Sequence, residues 1–148
     1  IITFLVNGHI ESTYSVEEGK WTAPKFIEDP YLRVHGLSTA LNYGQQVYEG
    51  LKGTYGHQGH NNQPNILTTQ LAYRTQSGKI QIFRPAFHAA RMQHSADVVS
   101  IPPVPIDHFI AAVNAAVVYN AEWVPPYESG AALYIRPVLF GSSGHLAL

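Results

Sequence analysis

The chain has 148 residues, a formal net charge of −1 and no cysteine. That length suits one domain with a core of its own; the even charge balance offers no basic stripe for a phosphate backbone, so no nucleic acid is expected as a partner; and disulfide and thiolate chemistry are excluded. A hydrophobic fraction of 45% beside a charged fraction of 13% describes a globular chain poor in charge, which leaves apolar surface for another domain or subunit.

Residues 3–6 form a short β-rich run, Asn7-Gly8 signals a hairpin turn, and 10–16 is expected as the return strand. The N-terminal residues show no charged region followed by an apolar one, so no signal peptide is expected. Residues 21–30, punctuated by Pro24 and Pro30, read as a connection, and 31–34 as a further strand. From Leu41 the pattern predicts a short helical turn ending near Gly50, with a strand starting at Leu51.

Ser77-Gly78 marks a turn, after which residues 79–83 place Ile80 and Ile82 on one face, as a half-buried strand requires. Pro85 suits the first turn of a helix, because its missing N–H costs nothing there, and 87–98 is expected to be helical until Pro102, Pro103 and Pro105 stop it. Ile106, Phe109, Ile110, Val113 and Val117 recur at helical spacing, with Asp107 in the first turn to favour the dipole, and predict a second helix ended by Pro125-Pro126. Its apolar stretch, 109–119, is interrupted by Asn114 and falls short of the roughly 20 residues of a membrane span, so no membrane association is expected. Residues 131–140 are expected as one strand. Hairpin-linked strands with two main helices predict an α+β fold, mostly antiparallel sheet.

Five blocks stand out in this order: Tyr43-Gly44-Gln45-Gln46-Val47-Tyr48-Glu49-Gly50-Leu51-Lys52, Ile82-Phe83-Arg84-Pro85, Ala90-Arg91-Met92, Glu122-Trp123-Val124-Pro125 and Leu133-Tyr134-Ile135-Arg136-Pro137. The first resembles the Y-G-x-x-x-[FY]-E-G-L-K signature of the branched-chain amino acid aminotransferases, fold-type IV enzymes that use pyridoxal 5′-phosphate (PLP), and the others resemble that family's blocks in the family's order. The resemblance covers nearly all of the chain from about Trp21. It implies the small N-terminal domain of a two-domain homodimeric enzyme, cytoplasmic or mitochondrial. Its substrates would be small amino and 2-oxo acids, the amino group passing between leucine, isoleucine or valine and 2-oxoglutarate.

Several residues carry chemistry that fits. Arg91 offers a planar fork of donors matched to phosphate oxygens, and the resemblance assigns it to the PLP phosphate; on its own, an arginine within a helix reads as a surface ion pair. Tyr43 and Tyr48 resemble aromatics lining the substrate pocket, with packing as the alternative. Tyr48 stands where phenylalanine is commoner, and Asn42 where histidine is usual. Period-2 alternation over 131–140 sends Tyr134 and Arg136 to one face, an arrangement suited to a carboxylate; the resemblance assigns both to the acidic substrate. It also places Leu146 and Leu148 on a loop reaching the neighbouring subunit's substrate, although core packing reads as well for both. None of Lys20, Lys25, Lys52 and Lys79 matches the family's Schiff-base lysine, which implies that its domain is absent and that the chain alone is inactive. His57 and His60 are spaced like metal ligands, but no cysteine or nearby acid completes a set, so no metal is expected.

The family runs L-K-A-[YF]-R without interruption, whereas here residues 53–71, rich in Gly, Asn, Gln and His, separate Leu51-Lys52 from Ala72-Tyr73-Arg74. The insert reads either as a loop grafted into a hairpin, which loop-closure entropy tolerates, or as a retained intron of a fungal or other eukaryotic gene. In the second case a 5′ splice site would be encoded at Gly53-Thr54-Tyr55, and splicing to the end of the Ala72 codon would restore Leu-Lys-Ala-Tyr-Arg. Two other functions stay open: a stand-alone, PLP-free half-domain serving as a binding module or repurposed catalyst, and a relative acting on other amino or keto acids.

Overall fold

The structure, a computed structural model, describes residues 6–50 and 71–144. Leu146, Leu148 and most of the insert, including His57 and His60, lie outside the described residues. The strands are short: β1 (His9–Glu11), β2 (Tyr14–Ser15), β3 (Lys20–Trp21), β4 (Lys25–Ile27), β5 (Gln46–Tyr48), β6 (Leu71–Arg74), β7 (Ile80–Ile82), β8 (Leu133–Tyr134) and β9 (Val138–Phe140). Helix α1 (Thr39–Tyr43) precedes β5, and α2 (Pro85–Val98) and α3 (Ile106–Tyr119) follow β7. All recorded pairings are antiparallel: β1 with β4, β2 with β3, β5 with β9, and a three-stranded sheet in the order β7-β6-β8. The fold is α+β, as the pattern of elements predicts.

Local chemistry explains the elements that position the site. Ser38, fully buried, caps α1 by accepting from the Leu41 amide, and Gly44 closes that helix in the left-handed region at φ 66°. Pro85 opens α2. Along α2, Ala89, Met92 and Ala96 recur on one face, and along α3 Phe109, Val113 and Val117 do the same; the two helices pack on each other, and α2 also packs on β5. Val47, Ala72, Ile101, Val124, Ile135 and Leu139 complete the core. Burying each of its larger side chains stabilises the fold by roughly 1.5–3 kcal/mol.

The N-terminal part departs from expectation. The strand expected over 3–6 falls almost wholly outside the described residues, and Asn7 lies at a bend. Its amide is held at the end of α3: the side-chain Nδ2 donates to the Tyr119 carbonyl at 2.9 Å and to Glu122 Oε1 at 2.6 Å, its Oδ1 accepts from Trp123 Nε1 at 3.0 Å, and its backbone N–H donates to Asn120 Oδ1 at 2.8 Å. The strand expected over 10–16 splits into β1 and β2, and the supposed connection 21–30 holds β4 and the last residue of β3, which complete both ladders. Phe26 of β4 stacks on Tyr119 at 4.2 Å between ring centres. Residues 31–34 form no strand; Tyr31 and Leu32 are exposed, with no neighbouring edge to pair with among the described residues.

Later elements need smaller corrections. The helical turn near Leu41 ends at Gly44 and not near Gly50, and β5 already follows it at Gln46–Tyr48; the strand expected from Leu51 lies outside the described residues. α3 stops at Asn120, well before Pro125, because the Asn120 side chain bonds back to the Ala116 carbonyl at 2.8 Å and a 3₁₀ turn, Ala121–Trp123, follows. The single strand over 131–140 is two strands. Pro137 has no N–H to give a ladder, and the halves pair with different partners, β8 with β6 and β9 with β5. Among the described residues no helix is long and apolar enough to cross a membrane.

Candidate functional site

Three consecutive residues, Tyr48, Glu49 and Gly50, touch both arginines singled out above. β5 alternates, so Val47 and Glu49 face inward while Tyr48 faces out. The Glu49 amide donates to the Pro137 carbonyl at 3.0 Å, which extends the β5–β9 pairing and draws residues 48–50 alongside Arg136.

On the outer side, the Arg136 guanidinium lies over two tyrosine rings, 4.7 Å from the centre of Tyr48 and 5.1 Å from that of Tyr134. Its Nε donates to the Tyr134 hydroxyl at 2.9 Å. Gly50 makes this packing possible: it sits at φ 140°, and a Cβ there would collide with the Tyr134 hydroxyl and lie 3.2 Å from Arg136 Nε. Among the described residues the Arg136 Nη groups have no recorded hydrogen bond. A guanidinium held at Nε and placed over two aromatic rings keeps its Nη edge for a carboxylate.

On the inner side, the Glu49 carboxylate is 3% exposed. Its Oε2 lies 3.1 Å from His88 Nδ1 and its Oε1 3.4 Å from Arg91 Nε. His88 and Arg91 are three residues apart on α2 and so share a face. The His88 side chain is fully buried, and its Nε2 has no hydrogen-bond partner among the described residues. Arg91 is partly exposed, at 38% of its side chain. Its contact with Glu49 uses Nε and not the Nη1–Nη2 edge that matches a phosphate.

The site residues expected from sequence therefore fall into two groups and a remainder. Tyr48, Tyr134 and Arg136 come together, and Arg91 is joined to them through Glu49. Tyr43, at the end of α1, is 64% exposed and has no recorded hydrogen bond or ring contact with that cluster. Glu49, Gly50 and His88 were not singled out from sequence; an acid sharing the inward face of β5 with Val47 was the signal that could have found the first and, through its need for a partner, the third. Among the described residues no three His, Asp or Glu converge as a metal-binding group.

Comparison with known proteins gives relatives over nearly the whole chain. It is 51% identical over 140 residues to aminotransferase atnJ of Emericella nidulans, covering 95% of this chain and 35% of the relative. It is 51% identical over 144 residues to transaminase AMT5 of Alternaria alternata (97% and 34%) and 47% identical over 143 residues to the branched-chain amino acid aminotransferase gloG of Glarea lozoyensis (97% and 35%). The chain spans about a third of the length of these curated relatives. No family model matches it.

Proposed function

We propose that this chain, which belongs to the aminotransferase family of these relatives, forms the phosphate-anchoring and carboxylate-reading portion of a PLP-dependent transaminase for branched-chain amino acids and 2-oxoglutarate, working as a homodimer. PLP, when bound, supplies the electron sink and carries the amino group between the two substrates. Support for branched-chain substrates comes from the resemblance of the sequence blocks and from the name of the Glarea relative; support for an acidic co-substrate comes from Arg136.

The observation that carries the reading is the pair of arginines served by one short segment. Arg91 has the donor chemistry to hold a phosphate, with Glu49 at its Nε. Arg136, steadied by the Tyr134 hydroxyl and two aromatic faces, orients a carboxylate without first having to order a long flexible side chain. Tyr48 and Tyr134 flank Arg136 and so border the bound carboxylate, while Tyr43, which makes no recorded contact with this cluster, is assigned to the substrate side by the resemblance alone. The lysine that such chemistry needs comes, in this reading, from the part of the protein this chain does not match.

The test joins this chain to the unmatched remainder of a full-length relative and compares two variants. Arg91→Ala should weaken PLP retention about ten- to a hundred-fold, the worth of a charge-assisted bond of roughly 1.5–3 kcal/mol. Arg136→Ala should leave PLP bound and raise KM mainly for 2-oxoglutarate, whose second carboxylate branched-chain substrates lack. Unchanged PLP retention in the first variant, or equal damage to leucine and 2-oxoglutarate in the second, would overturn these roles.

A further inference from the structure

Glu49 and His88 are an unusual pair to bury. A carboxylate removed from water needs compensation, because an unpaired buried charge is strongly destabilising, and Glu49 finds it on both oxygens: His88 Nδ1 at Oε2 and Arg91 Nε at Oε1. His88 serves only one side of its ring: Nδ1 meets Glu49, while Nε2, in a fully buried position, has no hydrogen-bond partner among the described residues. An imidazole in that place is explained by what it does for Glu49.

We propose that His88 and Glu49 are positioning residues for Arg91: His88 fixes one carboxylate oxygen of Glu49, and the other holds the guanidinium at Nε, so that its plane is set before an anion arrives. The inference rests on reading Arg91 as a phosphate anchor. Arginine carries a large rotamer entropy, and fixing it in advance removes part of the cost of binding. The arrangement has an electrostatic cost, since a carboxylate beside the guanidinium opposes an incoming anion. Positioning and simple charge therefore predict opposite signs when Glu49 is neutralised.

The experiment uses the 148-residue chain and pyridoxine 5′-phosphate, a probe that bears the phosphate but no aldehyde. Two readouts are taken: solvent exchange of the Arg91 Nε–H by NMR, and probe affinity. Glu49→Gln should speed exchange at least threefold and weaken the probe about threefold, despite removing a negative charge. His88→Leu should speed exchange about tenfold, whereas His88→Asn, whose amide N–H can stand in for Nδ1–H, should stay within about twofold of wild type in both readouts. Unchanged exchange in Glu49→Gln and His88→Leu would overturn the proposal, as would tighter binding in Glu49→Gln or an Asn variant no better than Leu. Should His88→Leu fail to fold, Glu49→Gln and His88→Asn make the same decision. If Arg91→Ala binds the probe as tightly as wild type, the phosphate-anchor reading fails, and positioning then stands or falls on the exchange rates alone.

Discussion

The Arg136 guanidinium lies over the Tyr48 ring, 4.7 Å from its centre, even though the two belong to segments separated in sequence by the whole helical pair. The contact is an exposed cation–π interaction, worth roughly 0.5–1 kcal/mol. In the joined enzyme, Tyr48→Leu should therefore raise KM for 2-oxoglutarate about two- to five-fold with PLP retention unchanged, and Tyr48→Phe should match wild type within about twofold. Steady-state kinetics with both substrates checks this; a Phe variant as impaired as Leu would show that the hydroxyl, and not the ring, matters.

Gly50→Ala should destabilise the chain by about 1–3 kcal/mol, the cost of holding a side chain at an unfavourable positive φ, with further cost from the collision with Tyr134. Urea unfolding of the 148-residue chain reads this as a lower midpoint at an unchanged slope. A variant as stable as wild type would mean that the backbone at residue 50 is free to leave φ 140°.

Asn7→Ala keeps the backbone bond to Asn120 but loses three side-chain bonds to the end of α3. At this partly exposed site the loss should amount to about 1–3 kcal/mol. In a Trp21→Phe background the emission of Trp123 should also shift, because its indole N–H loses its acceptor. Unfolding curves and fluorescence test both; unaltered emission would contradict the bond.

Phe109→Ala should cost roughly 3–5 kcal/mol, as expected for an aromatic side chain deleted from a packed core, whereas Val118→Ala, on the exposed face of the same helix, should fall within about 0.5 kcal/mol of wild type. Comparable losses from both would show that α3 packs through a different face.

What was legible in the sequence follows the range of the forces involved. α3 announced itself through a periodic apolar face over 14 residues, and α2 through Pro85 at its start and the prolines that follow it. The β structure was harder. Its strands are two to four residues long, and β1 with β4 or β5 with β9 are held by partners that local pattern does not name. Tyr134 and Arg136 fall on one face as expected, although β8 ends at Tyr134 and the ladder resumes only after Pro137, because alternation outlasts the ladder. Arg91 was reached through resemblance. His88 was missed because a histidine on a helix reads as solvated until the neighbour that claims it is known, and here that neighbour is 39 residues away. The expected strand at 31–34 failed for a related reason: β propensity describes a surface that packs, and Tyr31 has none to pack on.

The adjacency of Tyr48, Glu49 and Gly50 limits how such a protein can be retuned. A substitution that shifts the backbone by a fraction of an ångström to enlarge the pocket at residue 48 also drags the neighbouring carboxylate against α2, whose Ala89 and Met92 are buried and cannot follow. Under the proposed function, substrate preference and cofactor hold then change together when this segment is altered. Altering side chains across the pocket, such as Tyr134, whose own strand is anchored to β6, would shift the first with the least disturbance of the second.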